Sequence, residues 1–126
     1  MKKGWVDNRL DDLVESNVIG ITKSSREQGE HKAWPYVKMN NITRDNRFDF
    51  SNITSVDATD EEVRKFALKD GDFLFNTRNS VELVGKSCVY EAASDDVVLF
   101  NNNIMRIRFK NGVDAKFILY AFSFKD

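Results

Sequence analysis

Apolar residues come in short clusters divided by polar stretches, and each cluster predicts one brief element. Leu10, Leu13 and Val14 stand at helical spacing within residues 9–15, predicting a short helix. Residues 18–21 read as a brief strand before the polar stretch Thr22 to Lys32. Residues 34–39 read as a strand from their aromatic and β-branched content, with Pro35, the only proline, at its start or on an edge. Thr59 and Glu62 form a capping box, opening a helix to about Ala67 that buries Val63 and Phe66. A turn at 69–72 places Gly71 where positive φ is needed, and a strand at 73–75 follows. Further strands are expected at 87–91, 97–100 and 104–109. In the last, Ile104 and Arg106 face one way while Met105, Ile107 and Phe109 point mostly into the core. Residues 112–114 turn the chain into a helix capped by Asp114, carrying Phe117, Ile118, Tyr120 and Ala121.

A chain of 126 residues supports one domain with a modest core. Ten Phe, three Tyr and two Trp exclude a disordered chain, because their burial offsets ordering entropy. Nineteen basic and twenty acidic side chains leave a net charge of −1, so no global field draws the molecule to nucleic acid. The distribution is less even. Six Lys/Arg oppose four Asp/Glu in residues 21–50, and five oppose two in residues 104–126. Acidic residues gather at 57–62 and 91–96. Cys88 is the only cysteine, which rules out an intramolecular disulfide and makes it a small buried hydrophobe. With no signal-like opening, and no apolar run near the ~20 residues a membrane helix needs, a reducing, cytoplasmic setting without membrane contact is expected. Phe122 and Phe124 lie beside the end of the sequence, which suggests a fragment or a surface that pairs with another chain.

Enzyme chemistry has little to stand on. Residues 80–87 end like a phosphate-binding P-loop, but Ser80 occupies the place of its first glycine and a strand, not a helix, should follow. Glu30 and Lys32 resemble the end of a nuclease metal site. The segment reads better as a charged loop around His31, the sole histidine. One Cys and one His exclude a Cys/His zinc site. Neither a cofactor nor a metal is implied.

Three segments together resemble the specificity subunit of type I restriction–modification systems. They are Trp34-Pro35-Tyr36-Val37-Lys38-Met39-Asn40-Asn41-Ile42-Thr43, Leu68-Lys69-Asp70-Gly71-Asp72-Phe73-Leu74-Phe75-Asn76-Thr77-Arg78 and Val84-Gly85-Lys86-Ser87-Cys88-Val89-Tyr90. Gly4-Trp5-Val6 and residues 104–108 fit the same pattern. Their order and spacing carry the likeness, which spans nearly the whole chain. The resemblance implies an α+β target-recognition domain, a curved mixed β-sheet or partial barrel with short helices. It also implies sequence-specific recognition of one half of a bipartite target in double-stranded DNA. The subunit is non-catalytic in that family; methyltransferase and restriction subunits supply the chemistry. Residues 1–126 would be one such domain, truncated at its C-terminal end and lacking the family's coiled-coil helix. An orphan domain that associates with itself or with another specificity subunit is the alternative, motivated by the apolar C-terminal segment.

Sequence readout requires donors and acceptors for base edges and cations for phosphates. Asn40, Asn41, Thr43 and Arg44 combine these groups after one strand. Asn76, Thr77, Arg78, Asn79 and Ser80 combine them after another. Lys38 and Lys86 are the phosphate candidates, and Lys23 to Arg26 forms a weaker third loop. Trp34 and Tyr36 are assigned to core packing ahead of base stacking.

Overall fold

Between Val14 and Ile19 half-buried and exposed side chains alternate, and the backbone is a strand, β1. The helix predicted over residues 9–15 therefore fails at Val14 and Glu15. Val14 pairs with Phe109 and Val18 with Arg106, and this ladder overrides the local helical spacing. The computed structural model describes residues 12–29, 32–43, 45–77, 87–92 and 94–123, with side chains through residue 120. Six further strands follow: β2 (Trp34–Val37), β3 (Thr54–Val56), β4 (Phe73–Asn76), β5 (Ser87–Val89), β6 (Leu99–Phe100) and β7 (Ile104–Phe109). Two helices, α1 (Asp60–Phe66) and α2 (Ala115–Ser123), and two 3-10 turns, Ser25–Glu27 and Met39–Asn41, complete the described elements.

Helix α1 starts where its capping box predicts. The Thr59 hydroxyl accepts from the Glu62 N–H at 3.1 Å, and the Thr59 N–H donates to Glu62 Oε1 at 2.9 Å. Gly71 adopts φ +92° in the turn before β4. Asp114 accepts from the Lys116 N–H at 2.9 Å at the start of α2.

The class is α+β, but the curved sheet resolves into two. One sheet has the order β1-β7-β4-β5 with every pair antiparallel. The other has the order β3-β2-β6, in which β2 runs parallel to β6. They join at a corner where the chain leaves β1. The Gly20 N–H bonds to Ile104 O at 3.0 Å, and Ile21 bridges to Asn101 beside the second sheet. A Cβ on Gly20 would lie 2.0 Å from the Asn101 carbonyl oxygen, so only glycine fits this crossing.

Leu74, Cys88 and Ile104 of the first sheet meet Val37 and Phe100 of the second in one core. Phe73, Val89 and Ile107, on the opposite face of the first sheet, pack against Ile118 of α2. Tyr36, Val56 and Leu99 form a third cluster, joined by the half-buried Phe66 of α1. Each fully buried side chain of this size contributes about 1.5–3 kcal/mol. Tyr36 is a core residue: its hydroxyl donates to Ile21 O at 2.7 Å, and burial pushes its pKa up to about 12. Burial also raises the Cys88 thiol to about 12, consistent with a packing role.

Both faces of β7 are covered, and its predicted alternation holds. Arg106 is 5% exposed and donates to Lys65 O at 3.2 Å and Ala67 O at 3.0 Å at the end of α1. Arg108 forms a two-point ion pair with Asp72 at 2.8 and 3.0 Å.

Candidate nucleic-acid interface

The strands turn back at a common end, where three connections among the described residues emerge. β2 and β6 run parallel, so the turn after Val37 and the turn after Phe100 leave on the same side. Asn76 at the end of β4 pairs with Ile104 at the start of β7, and Phe75 pairs with Ser87 at the start of β5. The β4–β5 connection therefore leaves from this end too.

Hydrogen bonds bind these connections to each other. The Asn101 N–H donates to Val37 O at 3.0 Å, and the Thr77 N–H donates to Asn103 O at 2.9 Å. Asn46, at φ +66°, donates from Nδ2 to Ser87 O at 2.9 Å. The turn after β2 is thus docked against the strand into which the β4–β5 connection leads. Of the two regions singled out in the sequence, the described parts, residues 40–43 and 76–77, thus lie at the same end.

Their individual residues divide by accessibility. Asn40 is exposed and Thr77 is exposed, while Lys38 and Thr43 are half-buried. Lys38 Nζ donates to Gln28 Oε1 at 3.2 Å, a neutral partner. Asn41 is 1% exposed and works inside the fold. Its Oδ1 accepts from the Lys38 N–H at 2.9 Å, and its Nδ2 donates to Asp49 O at 3.0 Å and Asn52 O at 3.4 Å. Asn76 is likewise buried, at 4% exposure, inside β4. Neither amide is open to a base edge, because each packs within the strand-and-turn framework. Thr43 accepts the Arg47 N–H at 3.0 Å and bonds to the Asp45 carboxylate, so its hydroxyl shapes a turn. That hydroxyl, together with the Asp45 backbone and nearby Arg47, holds the Asp45 carboxyl below its ordinary range. Arg44, Arg78, Asn79, Ser80 and Lys86 lie outside the described residues, as do Leu10, Glu30, His31, Gly85, Phe124 and the opening segment 1–11. The Phe122 side chain lies outside them as well.

Two groups at this end escape the sequence reading. Arg47 has an 80% exposed side chain and only a loose 3.7 Å ion pair with Asp45. The Asn101–Asn103 turn sits between β6 and β7, with Asn102 exposed. Three consecutive asparagines after an apolar run were the available signal. Among the described residues no group of three or more His, Cys, Asp or Glu side chains is placed to hold a metal, and no helix is long and apolar enough to cross a membrane.

The fold and this end together define a two-sheet α+β domain that presents a cluster of polar connections on a rigid frame. The profile of the type I restriction modification DNA specificity domain matches residues 2–126, and the chain belongs to that family. A putative type I restriction enzyme MjaX specificity subunit from Methanocaldococcus jannaschii is 28% identical over 118 residues, covering 92% of this chain and 27% of the relative. The HsdS subunit crystal structure from Thermoanaerobacter tengcongensis superposes with a TM-score of 0.62 at 15% identity, covering 90% of this chain and 25% of that one. A chain solved in work on complex assembly and conformational transition of the type I R-M system gives a TM-score of 0.65 at 13% identity, covering 91% of this chain and 26% of that one. The chain thus spans about a quarter of the length of these relatives.

Proposed function

We propose that this domain reads one half of a split target in duplex DNA, as the non-catalytic specificity component of a type I restriction–modification system. Methyltransferase and restriction subunits would act on the DNA it selects. The carrying observation is the convergence of residues 38–43, 45–47, 77, 87 and 101–103 at one end of the two sheets, tied by backbone and amide hydrogen bonds. A set of loops fixed in this way can present base-edge donors and acceptors without ordering cost on binding. Arg47 and Lys38 supply cations for phosphates, while Asn40 and the 78–80 segment supply base-edge groups. Binding of Arg47 to phosphate would exchange its loose pairing with Asp45 for a stronger contact.

Selection from a library of duplexes with a randomised core, followed by fluorescence anisotropy over a salt series, tests this reading. A preferred sequence should emerge, its affinity should fall steeply with salt, and Arg78→Ala or Asn79→Ala should change the preferred bases. Equal binding to all duplexes by the folded chain would falsify it.

A second reading rests on α2, where Phe117 and Tyr120 stay 65% and 61% exposed. Such a pair suits a protein contact, either with another copy or with another specificity subunit. Light scattering over a concentration series should then show mass rising with concentration and Phe117→Ser abolishing the rise. A constant monomer mass removes the self-association form of this reading.

A further inference from the structure

Three asparagines follow one another at 101–103, and the structure gives them different tasks. Asn101 shapes the turn: its Oδ1 accepts the Asn103 N–H at 2.9 Å, as in an Asx turn. Its backbone is held on both sides, with its N–H on Val37 O at 3.0 Å and its carbonyl accepting the Ile104 N–H at 3.1 Å. Gly20 packs directly against that carbonyl. The Asn103 carbonyl accepts both the Thr77 N–H at 2.9 Å and the Thr77 hydroxyl at 3.1 Å. Asn102 lies between these clamps, exposed, and its amide has no partner among the described residues. An asparagine engaged in turn chemistry binds its local backbone; this one does not.

We propose that Asn102 is a specificity-determining residue that reads an adenine of the half-site through the major groove. The inference rests on the DNA-reading function above and deepens it. A primary amide offers one acceptor and two donors, the complement of adenine N6 and N7. Because both neighbours are fixed, the Asn102 backbone needs little ordering when DNA arrives, so its discrimination is not offset by loop closure. The turn also stands between the connection after β2 and the start of the β4–β5 connection. Its base would therefore fall within the stretch those connections cover.

The full chain and Asn102→Ala should be put through the same randomised-duplex selection, with thermal unfolding as a check on the fold. Wild type should prefer adenine at one position, and Asn102→Ala should lose that preference by roughly 10- to 100-fold. Its preferences elsewhere and its binding to unrelated duplex should stay unchanged. An unchanged preference profile in the variant overturns the assignment while leaving the DNA-reading function intact. Uniform weakening on every duplex also overturns it, since that marks a backbone contact. A wild-type chain without any preference overturns the parent function, and this inference with it.

Discussion

The two ends of the first sheet use polar side chains in opposite ways. At the end where β4 begins and β7 finishes, charges are locked into the fold. Asp72 takes both Arg108 nitrogens and the Lys69 N–H, Arg106 and Arg108 bind carbonyls behind α1, and Asp70 accepts the Ala92 N–H. At the opposite end the hydrogen bonds fix backbone, through Asn41, Asn46, Asn101 and Thr77, and leave Asn40, Arg47 and Asn102 outside. A surface built to hold itself together commits its side chains; a surface built to bind commits its backbone and keeps side chains available.

Breaking the frame that both ends share should have the largest effect. Gly20→Ala forces a Cβ against backbone atoms at 2.0–2.5 Å, and we expect a loss of about 3 kcal/mol or more in urea unfolding, with DNA preference lost as well. Asp72→Ala should cost about 3 kcal/mol, since it strands the partly buried Arg108, whose 27% side-chain exposure tempers the loss. The surviving folded protein should keep its base preferences, which separates the two ends. Asn41→Ala should cost about 1–2 kcal/mol by removing a buried amide and leaving a part-buried N–H and two part-buried carbonyls without it. Unlike Asp72→Ala, it should also loosen the 38–52 connection and weaken DNA binding.

The smallest expected effect is a pH dependence away from both ends. The Thr59 N–H, with help from Lys23, holds the Glu62 carboxyl below its ordinary value. A lowered folded-state pKa stabilises above the ordinary carboxylate range and is lost as pH falls through the folded value. Glu62→Gln should therefore flatten the acid side of the stability profile, read as thermal midpoint against pH. An acid limb as steep as in wild type would assign it to other carboxylates.

Elements whose signal is local were legible in the sequence. The Thr59–Glu62 capping box, the positive-φ turn at Gly71, the Asp114 cap and the two-faced pattern of β7 all depend on neighbours within a few residues. Features that depend on distant pairing were not. Val14 became strand because β7 lies alongside it, and the division into two sheets depends on Gly20 meeting Asn101, far away in sequence. The inward place of Arg106 also depends on distant groups, the carbonyls at the end of α1 that accept from its guanidinium. At the candidate site the sequence located two polar connections but not which of their asparagines are buried. Asn41 and Asn40 are adjacent and chemically identical, and only the packing of the Met39–Asn41 turn separates buried from exposed.

Hydrogen–deuterium exchange of the full chain, with and without the duplex it selects, addresses the central contrast most directly. DNA should slow exchange in residues 38–47, 77–87 and 101–103 and leave 69–72, 91–96 and 110–116 unchanged. Protection confined to the latter set, with the converging connections exchanging freely, would contradict the assignment of the DNA-reading end.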